Sequence, residues 1–165
     1  MEGGCPTRPT AVPAQFRPAQ SCPRCGAPGQ PVKDVTVRSM VRGRAEEVGD
    51  QDHYLCPTPA CEVVYFSPAT GQVFAKGDLR VRVWFKETEE PLPICYCSNL
   101  TRQEIVRAVR AGHTTIEAVR RATGALSTGR CLTENPTGRC CHRVFQQIID
   151  ETAGAQDPFK VLAKE

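Results

Sequence analysis

Residues 93–104 read PICYCSNLTRQE, and the character of the chain changes within them. Upstream, apolar residues alternate with polar ones, the period of a half-buried strand. Downstream they recur at intervals of three and four, the period of an amphipathic helix. Thr101 followed by Glu104 is a capping-box signature that predicts where the first helix starts. The fold class is therefore read as α+β: a small β-rich subdomain, then a helical one. The same stretch puts Cys95 and Cys97 one residue apart. A disulfide between them would close a small, strained ring. Two such thiols reach for one bound object or for separate partners.

Working upstream, PVKDVTVRSM alternates Val32, Val35 and Val37 with polar residues and predicts a strand. VVYF and GQVF flank SPATG, a hairpin signal. LRVRVWF puts Val81, Val83 and Phe85 on one side and Arg80, Arg82 and Trp84 on the other, again as a strand. Trp84 is read as a packing or interface residue. ETEEPLP, residues 87–93, is read as a linker. Working downstream, Ile105 and Val109 give one helix its apolar face, and Gly112 stops it. TTIEAVRRATG repeats the pattern with Ile116 and Val119, ending at Gly124. A third helix follows Cys141, with Val144, Phe145, Ile148 and Ile149 as its face. The division is then a Pro- and Ala-rich disordered leader over 1–20, a β-rich subdomain over 21–93, a helical subdomain over 94–151 and a tail over 152–165.

The chain has 165 residues, a net charge of +3 and ten cysteines. The charge is too mild to argue for nucleic acid. The leader has no apolar run of the secretory kind, and no later segment is long enough to span a membrane. The expected compartment is the reducing cytoplasm, where clustered cysteines are metal ligands rather than disulfides. Cys5 stands alone in the leader and is read as an incidental thiol.

Cys22 and Cys25 lie in SCPRCGAPG, and Cys56 and Cys61 in CPTPAC, with strand pattern between. A Cys-x-x-Cys turn followed by Gly aims two thiolates at one ion, and the second pair completes the four thiolates of a closed structural zinc site. His53 is an alternative to one of them. A thioredoxin-type dithiol is the competing reading, but GAPGQP breaks the helix such a motif leads into.

The second set is Cys95, Cys97, Cys131, Cys140 and Cys141, from which four ligands are drawn. A second zinc is possible; a [2Fe–2S] cluster, which takes two thiolates on each iron, fits the close spacing better. Cys97 and the Cys140–Cys141 pair precede predicted helices, whose N-termini favour an anionic guest. Gly129, Arg130, Gly138 and Arg139 put flexible backbone and two cations beside the ligands. Spacing alone does not separate Cys140 from Cys141.

CEVVYFSPATGQVFAKGDLRVRV, then EEPLPICYCSNLT, then CLTENPTGRCCH resembles the N-terminal domain of CopZ-type copper chaperones over about residues 21–150. The second half is similar to bacterioferritin-associated-ferredoxin-like (BFD-like) [2Fe–2S] domains, so the resemblance implies a three-helix BFD-like subdomain after the zinc-binding one. It implies a mononuclear zinc on Cys22, Cys25, Cys56 and Cys61. It implies a [2Fe–2S] cluster on Cys95, Cys97, Cys131 and Cys141, with Cys140 spare. The family continues into a copper-binding domain with its own exposed Cys-x-x-Cys, which these residues do not include. The function expected is therefore that of a cytoplasmic one-electron transfer protein. It would reduce Cu(II) to Cu(I) or pass electrons to a separate copper chaperone.

No Gly-rich dinucleotide fingerprint is present, so the electron donor is expected to be another protein or a small reductant. Two other functions compete. One is a BFD-like partner for iron release. The other is a zinc-ribbon adaptor or DNA-binding protein, suggested by Arg102, Arg107, Arg110, Arg120 and Arg121 on the first two helices. An enzyme using a cysteine beside His142 lacks an orienting acid, so a non-enzymatic carrier is the better reading.

Overall fold

The computed structural model describes residues 20–156. The predicted disorder of residues 1–19, with Cys5, and the last nine residues of the tail fall outside them. The class is α+β, as expected: an antiparallel sheet followed by helices. Strands β1 (Gln30–Val32), β2 (His53–Leu55), β3 (Val63–Ser67) and β4 (Gln72–Ala75) lie in the order β1-β2-β3-β4. The hairpin predicted around SPATG is β3–β4, pairing Phe66 with Val73 and Ser67 with Gln72. All five residues of β3 are buried, so this strand is the spine of the first half.

Two strand expectations are corrected. PVKDVTVRSM yields only the short β1 and then helix α1 (Asp34–Met40). Thr36, Val37 and Met40 face inward at helical spacing, while Val35 is 38% exposed. Asp34 in the first turn and Arg38 in the last form an i,i+4 ion pair and suit the helix dipole. LRVRVWF is not a strand either. Leu79 makes one bridge to Val41, and residues 76–78 and 84–86 are single 3₁₀ turns. Val83 is buried as its alternation predicts. The segment's ties are nonetheless made by arginines: Arg82 donates to the Glu89 and Pro91 carbonyls, Arg80 to those of Ser39 and Thr133. Alternation marks a half-buried extended segment; a strand also needs a neighbour with free ladder groups.

The second half opens with a short hairpin, β5 (Pro93–Cys95) and β6 (Leu100–Thr101). Helix α2 (Arg102–Arg110) starts where the capping box places it: the Glu104 N–H donates to Thr101 Oγ1, and the Thr101 N–H to Glu104 Oε2. Helix α3 (Ile116–Thr123) is capped by Thr115 and ends on Gly124, which is left-handed at φ 70°. The single turn α4 (Cys131–Glu134) precedes α5 (His142–Gln156). Ile105, Val109, Ile116, Val119, Phe145, Ile148 and Ile149 form one core with Ile94 and Leu100. Trp84 packs against this core as well, from the preceding segment. A separate core under the sheet holds Val37, Met40, Val64, Tyr65, Phe74 and Val83.

The halves meet along α1 and α4. Thr36 Oγ1–H donates to the Leu132 carbonyl at 2.7 Å, Arg80 Nη2 to that of Thr133 at 2.7 Å, and the Tyr65 hydroxyl to that of Pro136. The first half thus grips the loop that carries the later cysteines.

Candidate metal centres

The first centre is built by two turns at one end of the sheet. Cys22 begins a tight turn closed by Cys22 N–H to the Ala27 carbonyl and Gly26 N–H to the Cys22 carbonyl. Cys56 follows β2, and Cys61 precedes β3, so pairing of β2 with β3 brings the second knuckle together. The Sγ atoms of Cys22, Cys25, Cys56 and Cys61 all lie within 4.8 Å of one another. Two of these separations are 3.9 Å (Cys22–Cys61) and 3.6 Å (Cys25–Cys56). A tetrahedral ion with bonds of about 2.3 Å spaces its sulfurs about 3.8 Å apart, whereas a disulfide needs about 2 Å. The donor set therefore fits zinc.

The charge around the thiols fits it too. Lys86 is 4% exposed. Its ammonium donates to the carbonyls of Thr58 (2.7 Å) and Cys61 (3.1 Å), and it pairs with no carboxylate among the described residues. A buried cation needs a counter-charge, and the Cys56 thiol feels this one. Cys25 is pulled down to about 6 by the Thr58 hydroxyl and then by the Ala27 backbone. Burial pushes Cys56 up to about 12 and raises Cys61. His53 is not part of this set: it is buried, with Nε2 3.5 Å from the Gln72 amide oxygen.

The second centre starts in the β5–β6 turn. Tyr96 points away from the thiols, its hydroxyl donating to the Arg82 carbonyl and accepting from the Trp84 N–H. Cys95 and Cys97 then turn the same way, with Sγ atoms 3.8 Å apart, again the spacing of two thiolates on one tetrahedral metal. Cys141 interacts with Cys95, and Cys131 with both Cys97 and Cys140. Cys95, Cys97 and Cys141 thus share one buried core with Cys131 packed against it, apart from the first four. Cys95 and Cys141 are buried, Cys131 is half-buried and Cys140 is exposed. Cys95 is driven down to about 5 by the hydrogen bond from Cys141, helped by Cys97 and Arg120. Cys141 moves up as the other partner of that bond and by burial. Burial raises Cys131 to about 11.

Two expectations about this centre change. Cys97 is not at a helix entry: α2 begins five residues later, and its N-terminus is filled by Glu104. Cys141 does stand at the start of α5, its carbonyl accepting from the Phe145 N–H. Nor do Arg130 and Arg139 turn inward; both are exposed, with Arg130 Nε on Thr128. The cation that reaches a thiol is Arg120, Nη2 3.6 Å from Cys95 Sγ. Spacing had the signal for it, since residue 120 follows Ile116 by four and shares its buried face. Arg120 Nε and Ser98 Oγ are buried polar atoms with no partner among the described residues. Such atoms beside the Cys95 thiol suit a guest that offers further acceptors, as the sulfides of an iron–sulfur cluster do. With Arg120 turned in and Arg102 paired to Glu90 at 3.5 Å, two of the five helix arginines are committed within the fold.

Comparison with known proteins gives each half a family. Residues 19–80 match the CopZ-type family described as a zinc binding domain. Residues 93–151 match the family described as a BFD-like [2Fe–2S] binding domain. The copper chaperone CopZ of Archaeoglobus fulgidus is 40% identical over 127 residues, covering 77% of this chain and 60% of that protein. The chain thus spans about three fifths of the length of that curated relative. The X-ray structure of the Archaeoglobus fulgidus CopZ N-terminal domain superposes with a TM-score of 0.65 at 37% identity, covering 78% of this chain and 97% of that one. No helix among the described residues is long and apolar enough to cross a membrane.

Proposed function

The chain belongs to the family of the CopZ N-terminal domain, a zinc-binding module followed by a BFD-like [2Fe–2S] module, and from that premise we propose that it is a one-electron transfer protein in copper handling. The observation that carries the reading is the Cys95–Cys97 pair, 3.8 Å apart, in one core with Cys141 and Cys131 and apart from the first four thiols. Cys22, Cys25, Cys56 and Cys61 would hold a structural zinc, a closed site with no position left for substrate. Cys95, Cys97, Cys131 and Cys141 would hold the cluster. Cys141 is preferred to Cys140 because it is buried in the same core as Cys95 and Cys97, while Cys140 is exposed. When bound, the cluster stores and passes one electron at a time.

The protein's own residues set the conditions. The β5–β6 turn and α5 bury Cys95 and Cys141 away from water, while Cys140 and residues 126–130 leave an exposed rim. A copper ion arriving at that rim as Cu(II) would take one electron and leave as Cu(I), the softer ion that thiolates hold well. The electron would be replaced by a donor protein or a small reductant. The CopZ relationship favours copper as acceptor over stored iron, and a cytoplasmic setting suits nine free thiols among the described residues.

Anaerobic purification with iron, sulfide and zinc analysis tests the cofactors. The expected result is about two irons, two sulfides and one zinc per chain. Colourless protein with two zincs would overturn the redox reading. Cys141→Ser is expected to abolish the visible spectrum and Cys140→Ser to keep it. Stopped-flow oxidation of the reduced protein by Cu(II) or by an iron-storage shell decides the acceptor.

A further inference from the structure

Arg120 stands out among the cations of the second half. It lies on the buried face of α3, one turn after Ile116 and next to Val119, both core residues. Its guanidinium sits over the Phe145 ring, 5.7 Å from the centroid, within cation–π range. Nη2 is 3.6 Å from Cys95 Sγ. Nε is buried and meets no acceptor among the described residues, and no described carboxylate pairs with the group. An N–H taken out of water and left unpaired is costly, and a guanidinium held against an aromatic ring has few ways to turn it elsewhere. Arg130, Arg121 and Arg139 are exposed by contrast.

We propose that Arg120 is a positioning residue for the [2Fe–2S] site: it clamps the Cys95 thiolate through Nη2 and offers Nε to a sulfur of the bound cluster, holding the reduction potential up. The inference rests on the reading of the late thiols as a cluster site. Reduction adds one negative charge to a centre already anionic, so a fixed cation and a hydrogen bond to its sulfurs favour the reduced form. Arg120 also ties α3 to the last residue of β5. Helix α3, which supplies no ligand, is thereby joined to the ligand shell.

The test compares the full chain with Arg120→Leu and Arg120→Lys, each loaded with iron and sulfide anaerobically. Zinc content and far-UV circular dichroism check that each variant is folded. In a redox titration followed by EPR, Arg120→Leu is expected to lower the one-electron reduction equilibrium about ten-fold, a shift of about 59 mV. Arg120→Lys, which keeps the charge without the planar fork, is expected to fall between. Pulsed EPR on reduced protein carrying ¹⁵N-arginine should detect a nitrogen coupling that disappears in Arg120→Lys, a signal that a merely structural arginine would not give. If Arg120→Leu takes up no cluster, the Arg120→Lys titration and the nitrogen coupling decide. A reduction equilibrium within two-fold of wild type in the folded, loaded variants, with no arginine coupling, overturns the proposal. Wild-type protein that holds no [2Fe–2S] cluster overturns the underlying reading and this one with it. A normal wild-type cluster with an unmoved variant overturns this one alone.

Discussion

At the scale of single residues, Lys86 and Gly138 each do what no other side chain in their place would. The Lys86 ammonium touches two carbonyls and lies 5.6 Å from the Phe85 ring centroid, and it shares its buried corner with the first thiol set. Lys86→Met keeps the bulk and removes the counter-charge. Zinc affinity is expected to fall ten- to a hundred-fold, the range typical of groups that support metal ligands, as read by chelator competition. Unchanged affinity would show that the ammonium does not balance the thiolates. Gly138 adopts φ 66°, and a Cβ there would meet Thr36 Oγ1 at 2.6 Å, the hydroxyl already committed to Leu132. Gly26 has a similar φ of 74° with nothing within 4 Å of a Cβ. Gly26→Ala is therefore expected to cost about 1–2 kcal/mol from backbone conformation alone. Gly138→Ala should cost more, because it also displaces Thr36; thermal melting of the two variants side by side checks the order.

At the scale of elements, α2 shows what a cap contributes. Its N-terminus is closed by Thr101 and Glu104, and the Glu104 carboxyl is held below its ordinary value by the Thr101 N–H and then by the Thr101 hydroxyl. A carboxylate depressed by folding contributes stability that is present above its unfolded value and is lost as pH falls through the folded one. Acid should therefore weaken α2 below about pH 4.3, the ordinary glutamate range, as Glu104 takes up a proton. In Glu104→Gln this contribution has no pH dependence. Denaturation midpoints from pH 6 to pH 3 should show wild type converging on the variant. Thr101→Ala removes the other half of the box and is expected to cost about 1 kcal/mol. Helix α4 is the opposite case. One turn is too short to persist alone, so Cys131 is placed by what α4 packs against rather than by α4 itself.

At the scale of the whole molecule, the first half is a scaffold for the second. The carbonyls of Leu132, Thr133 and Pro136 accept from Thr36, Arg80 and Tyr65, all of the zinc-binding half. Pro136 is buried, so Tyr65→Phe leaves its carbonyl without that donor, at about 1–3 kcal/mol. The expected outcome is faster release of iron under chelator with zinc retained, followed by the decay of the visible spectrum. Cys56→Ser, which removes a proposed zinc ligand, should weaken cluster retention as well, because β2, β3 and α1 lose the anchor that orders them. Equal iron release in wild type and both variants would show that the halves are independent.

Much of this was written locally. Cysteine spacing divided the thiols into two sets, the Thr101–Glu104 box fixed the start of α2, and Gly124 fixed the end of α3. Each of these is a contact between near neighbours, so the residue types alone carry it. Local pattern misled where two structures share one pattern: seven residues of PVKDVTVRSM became α1 because Thr36, Val37 and Met40 had a sheet to cover. LRVRVWF found no strand to pair with. Tertiary packing alone decided that Arg120, not Arg130 or Arg139, meets a thiol, that Lys86 reaches the Thr58 and Cys61 carbonyls, and that Tyr65 holds the loop of the last three. Those pairs are 25 or more residues apart in sequence, and nothing at either end of such a pair specifies the other until the cores have formed.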